Sequence, residues 1–260
     1  MNSVTVARLN CTLSIFKKFK FQNDILILMN NFEKEAKTGG PDELLKLGLR
    51  YLKDKNFEKA FEHFSWGSQD GNEECQVQLG NLYENGNGVV KNKQKAFELY
   101  LKSANNNAIA QVKLGDMYFH GEHVDQDFHK AKDWYSKASQ QGNMEALTML
   151  GAIAQYGYCE KEDLPSAIEM FKFAAEQGSY GAMGYLGACY FHGNGVEKDY
   201  AKAAKLLQEA AIDNFRDAQF LLGVMYYEGI HFEKHARLGA YWIKLAKEDG
   251  HEMAQKAWDR

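Results

Sequence analysis

The stretch from Leu186 to Ala203, LGACYFHGNGVEKDYAKA, decides the fold. A Leu-Gly pair opens it, Tyr190 follows that glycine by three residues and Gly193 follows it by six. The run His192-Gly193-Asn194-Gly195-Val196 breaks the helix, because glycine readily takes the left-handed conformation that ends one. Asp199-Tyr200 and Lys202-Ala203 come next. The same succession recurs along the chain. Leu-Gly pairs stand at Leu47-Gly48, Leu79-Gly80, Leu114-Gly115, Leu150-Gly151, Leu186-Gly187 and Leu222-Gly223, with glycines 32, 35, 36, 36 and 36 residues apart. Tyr51, Tyr83, Tyr118, Tyr190 and Tyr226 hold the third position after the glycine, and Ala154 departs from the column in the fourth repeat. Ala60, Ala96, Ala131, Ala167, Ala203 and Gly239 form a column of small residues, and the repeats close on Gly71, Asn107, Gly142, Gly178, Asn214 and Gly250. A fixed period of this length is the mark of stacked structural units.

Each repeat reads as two helices. In the third, Ala110, Leu114, Met117 and Tyr118 fall at i, i+4, i+7 and i+8, one face of a helix that Gly121 ends. Ala131, Trp134, Tyr135 and Ala138 line a face of the second helix. The glycines Gly48, Gly80, Gly115, Gly151, Gly187 and Gly223 are expected where two helices cross closely. A single hairpin cannot bury its apolar face, whereas stacked neighbours bury a continuous core. The expected fold is all-α: a right-handed α/α superhelical solenoid of six hairpins over residues 41–251, at about 41–71, 72–107, 108–142, 143–178, 179–214 and 215–250. Residues 252–260 continue the first helix of a seventh unit and are expected to cap the open end.

These columns resemble the Sel-one-like repeat family, relatives of tetratricopeptide repeats with a longer inter-helix loop. The resemblance is clearest in the fifth repeat and in Asn85-Gly86-Asn87-Gly88-Val89 of the second. The first repeat lacks four loop residues and looks like an ordinary tetratricopeptide unit. The fourth carries Cys159-Glu160 where Gly-Val is expected. The resemblance implies a non-catalytic scaffold or adaptor that binds partner proteins or peptide segments in a concave groove. The alternative reading is an enzyme of the family's penicillin-binding, β-lactamase-like branch, or a metal-dependent protein.

Composition narrows the classes. Lys+Arg total 31 against 35 Asp+Glu, a net charge of -4, which provides no basic field for nucleic acid. Four scattered cysteines, Cys11, Cys75, Cys159 and Cys189, form no C-x-x-C pair and fit free thiols in a reducing compartment. The early aliphatic run Ile25 to Met29 is far too short to cross a membrane, so no insertion is expected. The expected location is cytoplasmic. Residues 1–40 lie outside the repeats; residues 1–28 are mildly basic, which leaves a mitochondrial transit peptide as the alternative, with Met29 as another possible start. Ser14-Ile15-Phe16-Lys17 matches S-x-x-K and Lys37-Thr38-Gly39 matches K-T-G, but no S-D-N or strand context accompanies them. His120 with His123, and His231 with His235, are spaced three and four apart, yet neither pair gathers the four ligands zinc takes. No cofactor, metal ligand or catalytic residue is assigned.

The resemblance also implies where the groove lies, since in tetratricopeptide relatives a second stripe of the first helix lines the concave face. Offsets -3, +1, +4 and +5 from each Leu-Gly glycine form a stripe roughly 150° from the core stripe. In the second and third repeats it carries Asn81, Glu84, Asn85, Asp116 and His120, with Val77, Val112 and Phe119 interleaved. In repeats four to six it carries Ala152, Tyr156, Gly184, Ala188, Phe191, His192, Phe220, Val224, Tyr227 and Glu228. Val77 precedes Asn81, so the lysine–asparagine clamp that reads a C-terminal carboxylate in chaperone adaptors is missing. Recognition of an internal segment is expected, with its apolar residues in repeats four to six.

Overall fold

A computed structural model describes residues 40–259 as thirteen helices, with no strand among the described residues. The expectations placed on residues 1–39, including the S-x-x-K and K-T-G matches, Cys11 and the Met29 start, lie outside the described residues. The chain divides into two compact bodies, the first ending at Ser103 and the second beginning at Ala104. The first holds repeats one and two: α1 (Pro41–Lys53), α2 (Phe57–Gln69), α3 (Glu73–Asn85) and α4 (Lys93–Ser103). The second holds repeats three to six: α5 (Ala108–His120), α6 (Phe128–Gln140), α7 (Met144–Tyr156), α8 (Leu164–Glu176), α9 (Tyr180–His192), α10 (Tyr200–Ile212), α11 (Arg216–Glu228) and α12 (Ala236–Glu248), closed by α13 (Glu252–Trp258). Within each body every helix packs on its chain neighbours, as expected of stacked hairpins.

The Leu-Gly column has a sharper reason than close backbone crossing. A Cβ on Gly115 would stand 2.5 Å from the Tyr135 ring, and one on Gly151 2.6 Å from the Phe171 ring. Each first helix therefore offers a hole to a large side chain from the second helix of its own repeat. Phe64, Tyr100, Leu207 and Ile243 fill the corresponding holes at Gly48, Gly80, Gly187 and Gly223. In the sixth repeat the backbones themselves also meet. There a Cβ on Gly239 would lie 2.7 Å from the backbone nitrogen of Tyr227 and 2.8 Å from the carbonyl oxygen of Gly223, which explains glycine in place of alanine.

The loops share one construction. In repeats two to six the amide at the residue capping the second helix donates to the carbonyl nine residues earlier: Asn92 to Tyr83, Asp127 to Tyr118, Asp163 to Ala154, Asp199 to Tyr190 and His235 to Tyr226. The fourth loop keeps this closure despite Cys159-Glu160. The same capping side chains accept backbone amides of the first helical turn, each worth about 1 kcal/mol. The tyrosine column has a partner as well. Lys95, Lys130 and Lys202 stand 5.0, 5.2 and 5.2 Å over the rings of Tyr83, Tyr118 and Tyr190. In the fourth repeat, where Ala154 replaces tyrosine, Ser166 replaces the lysine and bonds Asp163 instead.

Candidate partner-binding site

The first helices carry the expected stripe, and the structure divides its residues into three groups. Val77, Val112, Ala152 and Gly184, expected on the groove, are buried. Val112 clusters with Ala146 and Ile153 of α7, Ala152 clusters with Leu186 and Cys189 of α9, and the Phe215 ring, just before α11, sits where a Cβ on Gly184 would be, at 2.3 Å. These positions shape the packing and are not available to a partner.

A second group is tied down from within its own repeat. Tyr100 donates through its hydroxyl to Asn81 at 2.8 Å and to Glu84 at 3.0 Å, and the Asn85 side-chain amide donates to the Asn81 carbonyl at 2.9 Å. In the third repeat Tyr135 donates to Asp116 at 2.7 Å. Burial pushes the Asp116 carboxyl up to about 6, Glu145 adds to the rise, and the Tyr135 hydrogen bond opposes it. Phe119 meets His120 and Phe128 edge-on at 5.0 and 5.3 Å, and Phe191 likewise meets His192 and Tyr200 at 4.9 and 5.5 Å. Phe119 and Phe191 thus brace hairpins against their loops. Burial, then Lys198, holds His192 below the ordinary histidine value.

The third group faces solvent. Tyr156 is 56% exposed and Tyr227 45% exposed. Tyr156 tilts against Tyr158 at 5.7 Å, and Tyr158 stacks on Phe128 at 4.6 Å. Val224, Tyr227 and Glu228 are brought together in a cleft of about 600 Å³ whose wall continues through Phe220, Ile243 and Trp258. Trp258, 44% exposed, was expected only to cap the end; placed on α13, it faces the last first-helix stripe. Its role could be read from the sequence only by extending the repeat register beyond residue 251.

The histidine pairs have local explanations. His123 and His231 occupy the loop position of Gly88 and Gly195 and share their positive φ, at 69° and 65° against 68° and 68°. His235 caps α12 through Nδ1, which accepts the Leu238 amide at 3.1 Å. Among the described residues no group of three or more His, Cys, Asp or Glu is placed to hold a metal ion. No described helix is long and apolar enough to cross a membrane.

Comparison with known proteins agrees with this architecture. The Sel1 repeat model matches six segments, residues 40–68, 73–107, 108–143, 145–179, 181–214 and 216–251. A Sel1 repeat protein from Oxalobacter formigenes is 30% identical with a TM-score of 0.67, covering 82% of this chain and 87% of that one. The protective antigen c5321 of uropathogenic Escherichia coli, which displays an SLR fold, is 27% identical with a TM-score of 0.64; the match covers 87% of this chain and 50% of the antigen. The immunity protein Pa5087 of Pseudomonas aeruginosa is 26% identical over 75% of each chain, with a TM-score of 0.52. An exopolysaccharide production negative regulator of Rhizobium leguminosarum bv. viciae is 30% identical over 69 residues, 26% of either chain, so this chain spans about a quarter of that relative's length. With six repeat matches running from residue 40 to residue 251, the chain belongs to the Sel1 repeat family.

Proposed function

We propose that this protein is a non-catalytic scaffold that holds a segment of a partner protein on the exposed face of its first helices. The Sel1 repeat is in general a non-catalytic protein-interaction unit. Similarity to a protein named as a negative regulator and to one named as an immunity protein fits the reading. The observation that carries it is the cleft of about 600 Å³ on the C-terminal body, walled by Phe220, Val224, Tyr227 and Trp258. Aromatic side chains half-exposed around a concavity are the usual anchors of a protein interface. Tyr156 extends the apolar surface on α7 of the same body. The partner segment is internal rather than a free C-terminus, and its apolar residues meet repeats four to six.

The test is affinity capture from the source cell with the full chain and with a Tyr156→Ala, Tyr227→Ala double variant. Phe191 is left in place because its ring braces Tyr200. Both chains should give the same helical circular dichroism, and only the unaltered one should retain its partner. Equal capture by the folded double variant would overturn the reading.

A further inference from the structure

Three features of the C-terminal cleft bear on what it takes. Among the described residues that line it, Glu228 is the only charged one. It is the last residue of α11, where the helix dipole disfavours an anion, and no described residue pairs with it by ion pair or hydrogen bond. The equivalent positions in the other repeats are Lys53, Asn85, His120, Tyr156 and His192, none of them acidic. A carboxylate set at the unfavourable end of a helix, unpaired and facing an apolar cleft, does not serve the helix.

The aromatic walls already attract cations. Lys234 Nζ stands 5.9 Å from the Tyr227 ring centre and Lys247 Nζ stands 5.4 Å from that of Trp258, yet neither lysine lines the cleft. Charge is also sorted between the two helix sets of the C-terminal body. The first helices α5, α7, α9 and α11 carry Asp116, Glu145, Asp217 and Glu228 against Lys113 and Arg216. The second helices α6, α8, α10 and α12 carry nine lysines and arginines against five acids. The first helices of this body are therefore net acidic and the second helices net basic, and the cleft, with Glu228 among aromatic walls, complements a segment that is basic and apolar together.

We infer that the cleft receives an arginine side chain flanked by apolar residues of the partner segment. This rests on the scaffold reading above and names the chemistry of its occupant. The aliphatic stem lies over Ile243 and Val224, the guanidinium plane stacks against Tyr227 or Trp258, and its fork of N–H donors reaches the Glu228 carboxylate. Arginine suits this better than lysine. Its planar, weakly hydrated cation both stacks on aromatic rings and donates two parallel hydrogen bonds to a carboxylate.

The test uses the full chain and short end-blocked peptides, labelled for fluorescence anisotropy, with a central arginine between leucine and phenylalanine. In a matched peptide citrulline replaces the arginine, keeping shape and removing charge. The arginine peptide should bind at least about tenfold more tightly than the citrulline peptide, the loss expected when a charge-assisted hydrogen bond is removed. Glu228→Gln should erase that difference while leaving the citrulline peptide unaffected, and Trp258→Ala should weaken both. Equal binding of the two peptides, a difference that survives Glu228→Gln, or no binding of either would each overturn the inference. The first of these outcomes, if still abolished by Trp258→Ala, leaves the scaffold reading standing, since that reading is decided by partner capture with Tyr156 and Tyr227 replaced.

Discussion

Tyr135 fills the hole at Gly115 with its ring and, through the hydroxyl at the end of that ring, donates at 2.7 Å to Asp116, the residue next to that glycine. One side chain thus fills the core and ties down the adjacent stripe residue. Tyr100 does the same in the second repeat, with its ring against Gly80 and its hydroxyl on Asn81.

Asp116 should make stability depend on pH. Burial raises its carboxyl from 3.8 to about 6, so the folded chain binds this proton more tightly than the unfolded chain does. The stability this contributes is present below pH 4 and is lost as pH rises to about 6. Asp116→Asn, which still accepts from Tyr135, should therefore stabilise the C-terminal body by about 1–2 kcal/mol at pH 7.5. At pH 4 the two should melt together. Denaturant titration at both values checks the difference.

Gly115→Ala should destabilise by roughly 1–3 kcal/mol or more, because the new methyl lies 2.5 Å from a ring with no room to retreat. Tyr135→Leu shortens the intruding side chain, so the double variant should recover part of the loss. Non-additive melting temperatures would show this coupling; strict additivity would deny it. Gly187→Val should be severe for the same reason, its partner being Leu207 at 2.9 Å.

His251 should weaken the end of the molecule in mild acid. Its Nδ1 accepts the Ala254 amide at 3.1 Å and so caps α13 only when unprotonated. Burial holds its pKa below the ordinary 6.5; Asp217, 3.5 Å from Nε2, pulls the other way and Arg216 adds to the lowering. Because the folded value is depressed, stability is present above pH 6.5 and falls as pH drops below it. Amide exchange in α13, corrected for intrinsic rates, should quicken at pH 5.5 relative to pH 7.5. His251→Asn keeps the cap and should flatten that response.

Gln111 should prove structural. Buried in α5, it donates from Nε2 to the Ala104 carbonyl at 2.8 Å and accepts from Gln141 at 2.8 Å. Gln219 makes the corresponding bond to Ala211 at 3.3 Å, whereas repeats four and five carry Leu147 and Met183 there. Gln111→Leu orphans a buried carbonyl and should cost about 1–3 kcal/mol in a thermal or denaturant melt.

Fold class, repeat count and helix ends were legible because they depend on local rules. Gly121, Gly157 and Gly193 end helices through their own backbone freedom, at φ 69°, 64° and 81°. The capping residues Asp127, Asp163 and Asp199 act within three positions of themselves. The site was legible only in part. Tyr156, Tyr227 and Glu228 lie on the exposed stripe that helical geometry marks, but Val112 and Gly184 lie on the same stripe and are buried. Phe119 and Phe191 brace the loops instead of facing a partner alone.

The sequence by itself determined that the chain is a Sel1-type array of six hairpins, since a 36-residue period and 3.6-residue stripes are properties of the chain read along its length. Tertiary structure decided which stripe residues remain open, because that depends on where a neighbouring helix lays its side chains. Phe215 closes over Gly184, whereas Trp258 stands off from Tyr227 and leaves a cleft. Offsets along one helix fix the direction of a side chain, and only packing fixes whether another side chain is already there.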